Sequence, residues 1–258
     1  MKTIQLLIFI TFSCLLFSCS SRDNQKVKGI SLDQATQNSE DSNSKDKKPL
    51  ISRPSNVLLT GHADHRLITV YKVNFDSKRG KHYIGSNYFH RSYSYDYYDD
   101  TNPMHLHFMP GIEALYGFNL INIAHYNVET KERKNLFENP VFINTLYYPS
   151  LRQDSLNNEP ITRDYYLVSV YDEDTNKDSL INQKDLRRFY HFNLNGLQRT
   201  NLISSDYSVL SSEYDSQNDL MFIFARLDQN ANGKREEEEP IHVFWVDLKE
   251  PKIAERLY

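Results

Sequence analysis

The sequence predicts an all-β fold built from repeated antiparallel β-meanders, and three observations lead there. Tyr (18) and Phe (14) are abundant against Gly (8) and a single Trp, and flat aromatic side chains pack well on a pleated, half-buried surface. Beyond the N-terminal apolar run, no apolar pattern of 3.6-residue period is long enough to mark a strong helix. Most informative, the chain aligns with itself: Val168 to Leu194 falls on Phe222 to Leu248 without a gap, a shift of 54 positions. A recurring period of this size describes architecture before any single residue does.

The N-terminus reads as an address. Lys2 supplies a positive charge, and Ile4 to Phe17 is an almost unbroken apolar run, too short to cross a hydrocarbon core of about 30 Å comfortably but the right shape for a signal peptide. It ends in Leu16-Phe17-Ser18-Cys19, which resembles the lipobox of bacterial lipoproteins. The resemblance implies cleavage before Cys19 and acylation of that cysteine; an ordinary secretory signal with a chance cysteine is the alternative. Cys14, inside the apolar run, is the poorer acceptor. By similarity to Gram-negative lipoproteins, Ser20 in place of an aspartate favours the outer membrane, either face. Both cysteines lie in the first twenty residues, so the rest of the chain forms neither a disulfide nor a thiolate metal site.

From Ser20 to about Ser55 the chain is Ser, Asp, Asn, Gln and Lys with almost no aromatic residue. Such a composition buries too little apolar surface to offset ordering entropy, and it predicts a disordered tether. The predicted organisation is therefore a signal peptide over 1–18, a lipidated cysteine and tether over 19–55, and a β-repeat domain over 56–258.

Within that domain each copy of the repeat reads as strand, polar loop, strand. Tyr165 to Tyr171 and Phe189 to Leu194 flank one loop; Leu220 to Leu227 and Ile241 to Leu248 flank the other. The second strand has relatives upstream, since Ile123 to Leu136 aligns on Phe189 to Leu202 without a gap and Thr69 to Phe75 is a weaker copy. The anchors are Phe75, Val128, Leu194 and Leu248, with the polar insert Gln153 to Arg163 in the longest interval. Units of this length, each a short meander, resemble blades of WD40-like or TolB-like β-propellers, although no Trp-Asp dipeptide stands at blade spacing. The resemblance implies about four blade-like units stacked so that neighbours cover each other's faces. A β-sandwich carrying one duplicated hairpin is the alternative fold.

The two loops inside the repeat carry the strongest chemical signal. Asp228, Asn230, Asn232, Gly233, Lys234, Glu236 and Glu239 stand where the EF-hand calcium loop, which this segment resembles, has its oxygen ligands, its glycine, its backbone carbonyl and its closing carboxylate. Alternate residues of a tight turn point their oxygens at one centre, and Gly permits the bend. The sister loop keeps Asp174, Asn176, Asp178, Leu180 through its carbonyl, Asn182 and Asp185. It departs from the pattern at Ser179, where Gly is expected, and in its shorter closing Asp185; Arg235 is the departure in the first loop. Calcium is the cofactor this implies, stapling hairpins rather than opening a helix pair, while Asp, Asn and Gly are also what any long hairpin loop uses.

Weaker constellations remain. His105 and His107 share a strand face, and His62, His65, His82 and His90 are scattered, so structural histidines are preferred over zinc. His125 and His191 occupy one repeat position, which argues for packing. Tyr93, Tyr95 and Tyr97 alternate along a strand ending in Asp99 and Asp100, a possible platform for glycan or peptide and equally an ordinary half-buried strand.

A formal net charge of -4 gives no basic face for nucleic acid. There is no Gly-x-Ser-x-Gly elbow, cysteine nucleophile, His-Glu-x-x-His or phosphate-cradling glycine loop, so catalysis is the minority reading. The sequence thus points to a membrane-anchored envelope module, calcium-stabilised, that binds a protein, peptide or glycan. The rivals are an envelope hydrolase with a site near Tyr93 to Asp100 and a purely structural lipoprotein.

Overall fold

The computed structural model describes residues 29–32, 50–76, 79–84, 87–90, 109–117, 119–196 and 198–258. The signal peptide, Cys19, most of the tether, the tyrosine strip Tyr93 to Asp100, and His105 with His107 lie outside them. Every described element is a β-strand. The first part of the chain supplies β1 (Ile30–Ser31), β2 (Ser52–Leu59), β3 (His65–Asp76), β4 (Lys81–Ile84), β5 (Asn87–His90) and β6 (Ile112–Gly117). Next come β7 (Leu120–Asn127), β8 (Arg133–Asn135), β9 (Phe142–Pro149), β10 (Asp154–Leu156), β11 (Glu159–Ile161) and β12 (Tyr165–Tyr171). The last third adds β13 (Leu180–Ile181), β14 (Arg188–Asn193), β15 (Arg199–Asn201), β16 (Tyr207–Asp215), β17 (Leu220–Leu227), β18 (Ile241–Asp247) and β19 (Glu255–Arg256).

These strands form three principal antiparallel sheets. The first has the order β2-β3-β7-β8 with β4 folded back on β3, the second β15-β14-β12-β9-β6-β5, and the third β16-β17-β18-β19. The fold is all-β and made of repeated meanders, as the sequence predicts. The anchors Phe75 and Val128 both belong to the first sheet, Leu194 to the second and Leu248 to the third. The chain leaves the first sheet after β4, lays β5 and β6 on the edge of the second, and returns through β7 to pair with β3.

Alternation along the central strands explains the stacking. Every residue of β12 is buried, because its two faces serve different cores. Tyr166, Val168 and Val170 join Leu58, Leu67, Tyr71, Leu120 and Ile123 of the first sheet. Tyr165 and Leu167 join Val209, Met221, Ile223, Phe244 and Val246 of the third. A strand of period two buried on both faces reads as a continuous apolar run, which is what Tyr165 to Tyr171 is. The outer sheets show the complementary pattern: β3 alternates buried and half-buried from His65 to Tyr71, and β17 does so from Leu220 to Ala225. The sheets therefore stack in series in the manner of propeller blades, and none of the buried clusters of described residues joins the first to the third.

A buried ion pair pins the second sheet to the third. Arg163, at the end of the polar insert, donates from Nη1 and Nη2 to Asp219 at 2.9 and 2.8 Å, and to the carbonyls of Leu248 and Pro110 at 2.7 and 3.0 Å. Burial alone would lower the pKa of this guanidinium, but the hydrogen bonds to Asp219 together with the charge interactions with Tyr165, Asp219 and Tyr214 outweigh that and raise it. The rest of the insert is the small β10–β11 hairpin, turned by Asn157 and Asn158, both with positive φ. Within the stretch read as tether, Ile30 and Ser31 are strand-paired to β13, and β2 begins at Ser52.

Candidate metal centre

The two loops lie at equivalent corners of adjacent sheets. Asp174 to Asp185 joins β12 to β14, which pair throughout Tyr165 to Val170; Asp228 to Glu239 joins β17 to β18, which pair throughout Leu220 to Arg226. Each loop is an excursion from the end of a long two-stranded ladder, so its ends are fixed before its interior is arranged.

Their interiors repeat one hydrogen-bond network. In the third-sheet loop the Asp228 carboxylate accepts from the N–H groups of Asn232 and Gly233 at 3.0 and 2.8 Å. Asn230 Oδ1 accepts from Asn232 N–H at 3.0 Å and Asn232 Oδ1 from Lys234 N–H at 2.8 Å. The closing carboxylate of Glu239 accepts from Gln229 and Glu236 at 3.0 and 3.2 Å. In the second-sheet loop Asp174 accepts from Asp178 and Ser179 at 3.0 and 2.8 Å, Asn176 from Asp178 at 2.9 Å, and Asp178 from Leu180 at 3.0 Å. Asp185 accepts from Thr175 and Asn182 at 3.0 and 2.8 Å.

Donor and acceptor occupy the same loop position in every one of these pairs. The backbone follows suit: the fourth and sixth positions are left-handed in both, Lys177 and Ser179 with φ 60 and 66°, Ala231 and Gly233 with φ 56 and 71°. Ser179 thus adopts the bend its sister makes with glycine, a conformation that costs an L-residue roughly 1–2 kcal/mol.

Such a network orients oxygens. A carboxylate oxygen has two lone pairs, and an N–H bond to one leaves the other available while fixing the group's direction. In the third-sheet loop, Asn230 and Asn232 donate from Nδ2 to Glu236 at 2.8 and 3.0 Å, drawing three predicted ligand positions together. In the second-sheet loop the corresponding Asn182 is fully buried and turned to its own backbone, its Oδ1 accepting from Lys184 N–H at 2.8 Å and its Nδ2 without a partner. Leu180 and Lys234 contribute main-chain atoms only. Asp185 is fully buried; burial raises its pKa, the Asp174 charge pushes the same way, and the backbone N–H groups of Asn182, Asn176 and Thr175 oppose.

Among the described residues no group of three or more His, Cys, Asp or Glu side chains stands ready to hold a metal; the loops rely also on Asn and main-chain oxygens. That donor set fits a hard cation such as calcium and is a poor fit for zinc or copper.

The loops also touch, which their sequence did not reveal. Thr175 Oγ1 donates to the Gly233 carbonyl at 2.6 Å, and a Cβ on Gly233 would lie 1.8 Å from the Thr175 carbonyl oxygen. Glycine is therefore demanded twice, by its φ and by this approach. Beside the contact opens a cleft between Asn176, Asp178 and Lys184 on one side and Lys234, Arg235 and Glu236 on the other.

Of the other predicted positions, His62, His65 and His125 are brought together rather than scattered. His65 lies 6.1 Å from His62 and 5.0 Å from His125, ring centre to ring centre. Their nitrogens point elsewhere, His65 Nδ1 to Asp64 at 2.7 Å and His62 Nε2 to the Arg163 carbonyl at 2.8 Å. His125 is buried against Tyr166.

No family model matches the chain, and no curated protein does. A solved structure of a protein provisionally identified as TolB from Agrobacterium tumefaciens is similar over 82% of each chain, at 9% identity and a TM-score of 0.29.

Proposed function

We propose that this chain is a cell-envelope lipoprotein, anchored through Cys19 to the outer membrane, whose stacked-sheet module is stapled by calcium at Asp174 to Asp185 and Asp228 to Glu239 and serves to bind a protein, peptide or glycan. The observation that carries the calcium reading is the repetition of one oxygen-orienting network, donor for donor, in two loops of different sequence. Asp and Asn at matching offsets favour such turns by themselves, and the return of each closing carboxylate, Glu239 and Asp185, to the start of its loop is what argues for a shared cation. The anchor rests on Leu16 to Cys19 and the preceding apolar run; acyl chains contribute about 0.8 kcal/mol per buried methylene, and more than one chain holds a protein stably on a membrane.

Each ion would bridge the two strands flanking its loop, and the Thr175–Gly233 bond would join the two staples across the second and third sheets. Lys184, Lys234 and Arg235 at the shared cleft would weaken cation binding by like-charge repulsion, which argues for an affinity towards the 10⁻⁴–10⁻³ M class of extracellular modules. The test is thermal: calcium at about 100 times its dissociation constant adds about 2.7 kcal/mol per site. Asp228→Ala with Glu239→Ala should remove one site's share of the resulting rise in Tm. No calcium-dependent shift with the ion raised to about 10–100 mM, 100 times that constant, rejects the reading. Cys19→Ala should release the protein from membranes on fractionation; persistence there rejects the lipid anchor.

A further inference from the structure

Four residues of the N-terminal polar stretch dock on the second-sheet loop. Ile30 and Ser31 pair antiparallel with Ile181 and Leu180, Leu32 N–H donates to the Ser179 carbonyl at 3.1 Å, and Lys72 Nζ donates to the Gly29 carbonyl at 2.6 Å. Ile30 is wholly buried among Ile121, Phe142, Tyr171 and Ile181. Gly29 fits because it lacks a side chain: a Cβ there would lie 2.8 Å from the Ile181 carbonyl oxygen and 2.9 Å from Asn182 Cβ. The docked segment therefore reads the path of Ser179 to Asn182, the part of the loop that holds the Leu180 carbonyl and the Asn182 side chain.

A ribbon of two residue pairs does not persist on its own hydrogen bonds. Docking depends on the neighbouring apolar pocket and on the loop keeping this path, and the same path is what an ion held by Asp174 to Asp185 would fix. We propose that the second-sheet loop is a calcium-operated clasp for the anchor-proximal segment: an ion in the loop holds Gly29 to Leu32 on β13, and its loss releases them. The clasp rests on the calcium reading given above.

Its consequence is a change of reach. With the segment docked, roughly ten residues link Cys19 to the module, a span of at most about 35 Å when fully extended. With it released, the link runs to Ser52, roughly thirty residues and at most about 110 Å. Calcium would thus decide whether the module is held near the membrane surface or allowed to search away from it. Because coupling is reciprocal, docking must tighten calcium binding by the factor by which calcium favours docking.

The test is amide hydrogen exchange at Ile30 to Leu32 in the full chain, with calcium chloride alone as the probe, beside a calorimetric calcium titration. Exchange at Leu32 N–H should slow at least about tenfold on saturation. Gly29→Val, which blocks close approach, and Ile30→Asn, which empties the pocket, should each weaken calcium at Asp174 to Asp185 about fivefold or more and leave Asp228 to Glu239 unchanged. Calcium bound with exchange at Leu32 unaltered, or both variants binding calcium as the parent does, overturns the clasp and leaves the staples standing. No calcium binding at all overturns both.

Discussion

Replacing Gly233 by Ala tests the contact that joins the two loops. The new methyl would meet the Thr175 carbonyl oxygen at 1.8 Å and its carbon at 2.4 Å, distances that real atoms do not tolerate, so one loop must retreat. The left-handed φ of 71° adds roughly 1–2 kcal/mol for any residue with a Cβ. Retreat also breaks the 2.6 Å bond from Thr175 to the Gly233 carbonyl, a further loss of about 0.5–1.5 kcal/mol. Together these give about 1.5–3.5 kcal/mol of destabilisation, which for a domain of this size is a drop in Tm of roughly 3–14 °C. The control is the equivalent residue of the sister loop. Ser179 has φ 66°, so Ser179→Gly relieves strain and should stabilise by up to about 1 kcal/mol. Urea and thermal unfolding of both variants without calcium measure this directly. A Gly233→Ala protein within about 2 °C of the parent, or a destabilised Ser179→Gly protein, refutes the account of the loop backbones.

Two further predictions concern charge. Burial raises the Asp185 carboxyl above the usual carboxylate range, so in metal-free protein its contribution to stability is present below the ordinary carboxylate pKa and is lost as pH rises through the raised value. Calcium needs the carboxylate, so the calcium-dependent gain in Tm should shrink as pH falls from neutrality into that range; a gain that grows on acidification contradicts it. Arg163→Ala should cost about 3–5 kcal/mol in urea unfolding, because it leaves the Asp219 carboxylate, 1% exposed, without its countercharge and with the Tyr214 hydroxyl at 3.1 Å as its remaining side-chain donor. Replacing both members of the pair by apolar residues of similar volume should recover most of that loss; no recovery means the pair does more than satisfy itself.

What the sequence made legible was periodic or local. Tyr165 to Tyr171 announced a strand buried on both faces, and the 54-residue shift placed Asp174 and Asp228 in equivalent loops because the same side-chain types recur at the same offsets. What escaped depended on the third dimension. Similarity between Thr69 to Phe75 and the later strands identifies strand type, not sheet membership, so the shared sheet of Phe75 and Val128 was hidden. A repeat does not say how its copies face each other, and the approach of Gly233 to Thr175 follows only from stacking. Ile30 stands in a polar stretch where a strand of two residues has no period to detect. Arg163 looked like the end of an insert, since nothing local couples it to Asp219.

The most direct measurement of the central claim is the calcium stoichiometry of the purified chain by isothermal titration. Two ions per chain are predicted, one lost with Asp228→Ala and Glu239→Ala and the other with Asp174→Ala and Asp185→Ala. Absence of binding with calcium taken to about 10–100 mM, well above the expected dissociation constant, or binding that survives all four substitutions, contradicts it.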